Sequence, residues 1–99
     1  MIVRKTDVAE QLASLFREAG NAHHKAFAST NGDDPEWPIW YAEFLQPRVN
    51  HLLSMQWTKS DVVYLLIRSE KERSAIIPQP GWPEFYSKAF INELQSARR

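Results

Sequence analysis

The chain has no cysteine, only three glycines, no surplus of either charge and no long apolar run. Without cysteine there is no disulfide framework, no Cys-type zinc site, no iron–sulfur cluster and no thiol nucleophile. Three glycines cannot build a phosphate-cradling loop, and no Gly-x-Ser-x-Gly elbow surrounds any serine. Twelve basic residues balance twelve acidic ones. Sequence-blind nucleic-acid binding needs an excess of Lys and Arg to displace counterions, so no nucleic-acid partner is expected. The longest apolar run, Val62 to Ile67, is far shorter than the ~20 residues that span a bilayer, so no membrane association is expected either. Residues 1–7 lack the apolar stretch of a secretory signal, and the default expectation is a cytoplasmic protein.

What is present is helical periodicity. Ninety-nine residues suit one domain with one core. Thr6 has the character of an N-cap, with Asp7 and Glu10 placing acid in a first turn. Val8, Leu12, Leu15, Ala19, Ala22 and Ala26 then recur at steps of three and four, and Phe16, His23 and Phe27 widen the stripe. This predicts a first helix over about 7–30, stopped by Asn31-Gly32. Gly20 inside it leaves room for a close neighbour.

Asp33-Asp34-Pro35-Glu36-Trp37-Pro38 is a helix start signal of turn-forming acids and early proline. With Pro38 as the first helical residue, Tyr41, Phe44, Leu45, Val49, Leu52 and Met55 share a face. The stripe keeps its phase through Pro47, which predicts one helix, kinked there, with the proline on the polar side. Thr58-Lys59-Ser60-Asp61 resembles a capping box and predicts a third helix over about 59–73, a buried strand at Val62–Ile67 being the rival. Glu70-Lys71-Glu72-Arg73 reads as its solvated end. Residues 76–81 read as an extended loop, apolar enough to lie on the core, before a fourth helix from Trp82-Pro83.

Pro35-Glu36-Trp37-Pro38-Ile39-Trp40-Tyr41 reappears as Pro80-Gly81-Trp82-Pro83-Glu84-Phe85-Tyr86, following P-x-W-P-x-[WF]-Y at an ungapped offset of 45. Two copies fall short of a repeat array. They predict two helical hairpins packed with pseudo-twofold symmetry, over about 7–56 and 58–98, in an all-α, four-helix-bundle-like domain. Each Trp should fold back on its helix's inner face. The same offset superposes Arg48 on Glu93. Both read as facing the core, where a charge needs a partner, so a bridge between them is expected; the rival role for Arg48 is to bind an anionic ligand.

Titratable groups crowd at the junction of the first two helices. His23, His24, Asp33, Asp34 and Glu36 lie close in sequence to Trp37, Trp40 and Tyr41, the raw material of a metal site or an acid–base pair and the default place for a ligand pocket. Adjacent histidines point about 100° apart on a helix, so His23-His24 is no chelating pair. The plain structural readings are a core His23 bonded to a carboxylate or carbonyl, turn-forming aspartates, and a half-buried His51 packing beside Trp40 and Phe44. No metal-ligand set and no cofactor motif stand out.

The stretches Ala22–Phe27, Asp34–Leu45 and Trp82–Tyr86 resemble a group of small helical bacterial proteins of uncharacterised function. The resemblance implies an all-helical fold and no activity. Two functions fit the residues. The leading one is a non-enzymatic interaction module, a homodimer or the binder of another protein, anchored by exposed tryptophans. The other is a small-ligand or metal-binding protein, enzyme or not, with a pocket of His23, His24, Asp34, Glu36, Trp37, Trp40 and Tyr41.

Overall fold

The computed structural model describes residues 5–97, and the side chains of residues 8–96. Helix α1 spans Lys5–Ala26, α2 Trp37–Leu53, α3 Lys59–Ser74 and α4 Trp82–Ala97, with one tight helical turn at Ala28–Thr30. No strand occurs among the described residues. Each helix packs on two others: α1 on α2 and α4, and α3 on α2 and α4. The result is an all-α, four-helix-bundle-like fold, and no helix of the described residues is long and apolar enough to cross a membrane.

The first helix ends earlier than its periodicity predicts. The last α-helical bond runs from the Phe27 N–H to the His23 carbonyl at 3.0 Å, and a tighter turn follows, with Thr30 N–H donating to the Phe27 carbonyl at 3.2 Å. Asn31 (φ 58°) and Gly32 (φ 84°) then take left-handed conformations, and the Gly32 N–H closes back on the Phe27 carbonyl. The expected cap at Thr6-Asp7 concerns side chains outside those described. The centre of the buried face is Leu12, Phe16, Ala19 and His23, while Ala26 is already exposed.

Helix α2 runs unbroken through Pro47, which is exposed. Its deepest face is Ala42, Leu45, Val49 and Leu53. Tyr41, Phe44 and Leu52 flank that face instead of centring it. The capping box of α3 is complete: Asp61 N–H donates to Thr58 Oγ1 at 3.1 Å, and Thr58 N–H to Asp61 Oδ2 at 2.9 Å. That closure, together with the burial of Val62, Leu65, Leu66 and Ser69 at helical spacing, decides for helix over strand.

The two copies of the tryptophan motif open equivalent elements. Trp37 is the first residue of α2 and Trp82 the first of α4. Phe16 of α1 is wholly buried and meets Trp82, Tyr86 and Phe90 edge to face, with ring centroids 6.2, 5.6 and 5.2 Å away. Those three rings are spaced by four residues on α4, so one side chain seats a whole helix face.

Three expectations fail here. Arg48 does not reach Glu93. Its buried face being centred on Ala42–Leu45–Val49–Leu53, α2 carries Arg48 roughly 100° round from the core. The guanidinium lies in the open, 3.9 Å above the Phe44 ring, donating to the Phe44 carbonyl. Glu93 pairs with Arg68 of α3 at 3.2 Å. His51 is exposed, not half-buried beside Trp40 and Phe44. Ile76 and Ile77 do not lie on the core: they are 42% and 94% exposed. The loop is held at its far end instead, where Arg73 Nη1 donates to the Pro80 carbonyl at 2.9 Å.

Phe16→Ala should remove about 3–5 kcal/mol, much of the 5–15 kcal/mol that a domain of this kind holds. Urea denaturation checks it; a loss below about 1 kcal/mol would contradict the seating of α4 on Phe16.

Candidate functional site

The motif copies converge. Trp37 and Tyr41 from α2 and Trp82 and Tyr86 from α4 line one pocket of about 410 Å³, with His23, Gly32, Asp33, Asp34, Glu70 and Arg73 completing its wall. A pocket of this size falls in the range that takes small ligands. The rings meet one another nearly at right angles. Trp37 and Tyr41 are inclined at 81°, Tyr41 and Trp82 at 79°, and Trp82 and Tyr86 at 66°. Edge-to-face contact brings the positive edge of one ring to the negative face of the next, so the arrangement is self-supporting. Gly20 permits it: a Cβ there would stand 3.0 Å from the Trp82 ring and 3.9 Å from the Tyr41 hydroxyl. The room that Gly20 was expected to leave is occupied by Trp82.

One side of the pocket is built by the turn between α1 and α2. His23 Nε2 lies 3.1 Å from Asp34 Oδ2, and both side chains are 9% exposed. A carboxylate only accepts, so the imidazole donates from Nε2. Phe27 and Tyr41 stack on the imidazole at 4.6 and 4.9 Å, and Trp40 meets it edge-on at 5.0 Å. The other Asp34 oxygen accepts from the Glu36 N–H at 3.1 Å, forming the turn that leads into α2. Asp34 therefore serves the turn and the histidine, and α2 starts after Glu36 without a side-chain cap.

The opposite side comes from the end of α3. Glu70 accepts from Arg73 Nε at 2.8 Å and Nη2 at 3.0 Å, from the Tyr86 hydroxyl at 2.7 Å and from the Ser74 hydroxyl at 3.2 Å. Hydrogen bonding from Arg73 holds the Glu70 carboxyl below its ordinary range, against the opposing effect of burial. Tyr86 is pushed far above its ordinary value by burial and by its bond to the Glu70 carboxylate. Tyr41 is also raised, by burial first and by the nearby Asp34 charge second. Its hydroxyl has no hydrogen-bond partner among the described residues, whereas that of Tyr86 is committed to Glu70.

Of the residues expected in a site, the fold brings His23, Asp34, Trp37 and Tyr41 together. Trp40 supports them from behind, packed on His23 and Phe44. His24 is exposed and lines a neighbouring cleft with Arg17 and Asn21, Glu36 is exposed outside the pocket, and Arg48 borders a separate groove with Leu15 and Leu52. Sequence reasoning misses Trp82 and Tyr86, which it read as packing residues of α4, and Glu70 and Arg73, which it assigned to solvent. The three-residue spacing of Glu70 and Arg73, which pairs opposite charges on one helix face, and the motif shared with Trp37 and Tyr41 were the available signals. Among the described residues no group of three or more His, Asp or Glu could hold a metal ion.

The lowered Glu70 value has a stability consequence. Above the ordinary carboxylate pKa the group is ionised in both folded and unfolded chains, and its contribution is fully present. As pH falls through the lower folded value, that contribution is lost. The urea midpoint should therefore fall more steeply for the wild type than for Glu70→Gln between about pH 5 and pH 3. Parallel slopes would contradict the pairing.

No protein-family model, no curated protein and no solved structure matches this chain. The site is read from its own chemistry.

Proposed function

We propose that this chain is a small-molecule-binding protein whose ligand sits between the first turns of α2 and α4. The observation that carries the reading is the pocket itself. Two copies of one motif supply four aromatic side chains to a cavity of about 410 Å³, and the Tyr41 hydroxyl accepts and donates no hydrogen bond among the described residues. Its polar wall is fixed in advance, since His23–Asp34 and Glu70–Arg73 are each bonded internally, which lowers the ordering cost of binding. The reading is binding and not turnover. His23, the one imidazole in the wall, is engaged by Asp34 and stacked against both Phe27 and Tyr41.

The interaction-module reading loses its tryptophan anchors: Trp57 is buried, and Trp37, Trp40 and Trp82 are half-buried. A different observation keeps it as a second reading. Tyr64 and Ile67 on the outer face of α3 are 61% and 50% exposed, as are the isoleucines of the α3–α4 loop already described. Such a face suits a second copy or a protein partner.

Native mass spectrometry of the untagged protein separates the two. A monomer carrying an extra small-molecule mass, reduced by Trp37→Leu, is the expected result. A ligand-free dimer that Ile67→Glu dissociates would contradict the pocket reading and support the second.

A further inference from the structure

We infer that the pocket selects an organic cation of the fully alkylated, quaternary ammonium kind; this rests on the ligand-binding reading above. Asp33, Asp34 and Glu70 contribute carboxylates, against Arg73 and His23 on the basic side. Both basic groups are already paired with carboxylates. Arg73 donates from Nε and Nη2 to Glu70 and from Nη1 to the Pro80 carbonyl. His23 donates to Asp34 and is enclosed by rings. An anionic ligand would have to share a cation with the carboxylate already bonded to it, like charge against like charge. A cation meets a net negative wall with nothing to displace.

The aromatic walls then narrow the kind of cation. The Trp37, Tyr41, Trp82 and Tyr86 rings join at angles of 81°, 79° and 66° in succession, as panels of an open box. Ring faces attract cations, indole most strongly, and such boxes suit alkylated ammonium groups. A primary ammonium carries three N–H donors and needs acceptors for each when desolvated. Within the box, Asp34 and Glu70 already accept internal bonds, and the acceptors left over are the Tyr41 hydroxyl and the Asp33 carboxylate, the latter at the exposed rim. A quaternary ammonium needs no acceptor. It presents methyl groups to the rings, while its charge is balanced through space by Asp34, Glu70 and the exposed Asp33 at the rim.

The test compares choline with 3,3-dimethylbutan-1-ol, which has the same shape and no charge, and with benzoate as an aromatic anion. Binding is followed on the intact chain by the indole N–H resonances of Trp37 and Trp82. Choline should shift both resonances and bind about tenfold more tightly than the neutral isostere. Trp37→Leu should weaken choline about fivefold or more, and so should Asp33→Lys, an exposed-loop change that leaves the fold intact. Equal affinity for choline and its isostere, or a preference for benzoate, would overturn the cation assignment while leaving the pocket as a ligand site. No shift with any of the three at about 10 mM would overturn both.

Discussion

Tyr41 of α2 meets Trp82 of α4 edge to face, with ring centroids 6.2 Å apart, at a place where α1 offers only the bare Cα of Gly20. The rest of the site depends on this contact. It fixes how closely the beginnings of α2 and α4 approach, and so how the two motif copies face each other. Phe16, four residues before Gly20 on α1, also meets the Trp82 ring edge to face and ties it to the core through Tyr86 and Phe90. A larger residue at position 20 would push Trp82 away from Tyr41 and open the box. The glycine sacrifices roughly 1 kcal/mol of helix propensity relative to alanine, and the ring contacts offset it.

The polar half of the pocket follows a different rule. Inside a partly dry wall an unmatched charge costs much more than a matched one contributes. Both carboxylates that reach the wall's interior are therefore bonded at both oxygens: Asp34 by His23 and the Glu36 amide, Glu70 by Arg73, Tyr86 and Ser74. No buried side-chain nitrogen or oxygen among the described residues lacks a partner. The same bonds tie loops to helices. Asp34 anchors the turn into α2, and Arg73 anchors the loop before α4 through the Pro80 carbonyl. The pocket is thus shaped by the contacts that set the positions of its two tryptophan-bearing helices, and its walls are ordered before any ligand arrives.

Much of this was legible in the sequence, for local reasons. The Thr58–Asp61 capping box, the phase of the α2 stripe through Pro47, the Trp-Pro openings of α2 and α4 and the nearness of His23 to Asp34 all depend on short-range geometry. What was not legible depends on rotation and on long-range capture. Arg48 reads as core-facing when the α2 stripe is centred on Tyr41–Phe44–Leu45. It moves outside once Ala42 and Leu53, with the small Ala42 unremarkable in sequence, define the buried face. Glu70 and Arg73 look like a solvated end until Tyr86, sixteen residues after Glu70, donates its hydroxyl to that carboxylate. The isoleucines at 76 and 77 look like core by hydropathy. They sit in solvent because the loop is fastened through backbone and Arg73, leaving their side chains no surface to cover.

The claim on which the account turns is that the two motif copies meet ring to ring in the free protein. A nuclear Overhauser spectrum of the ligand-free chain measures it directly. The account predicts cross-peaks from the Trp82 ring protons to Tyr41, Tyr86 and Phe16 and to the Gly20 α-protons. Trp82 resonances showing contacts within α4 and none to Tyr41 or Gly20 would contradict it, and the pocket would have no wall between α2 and α4.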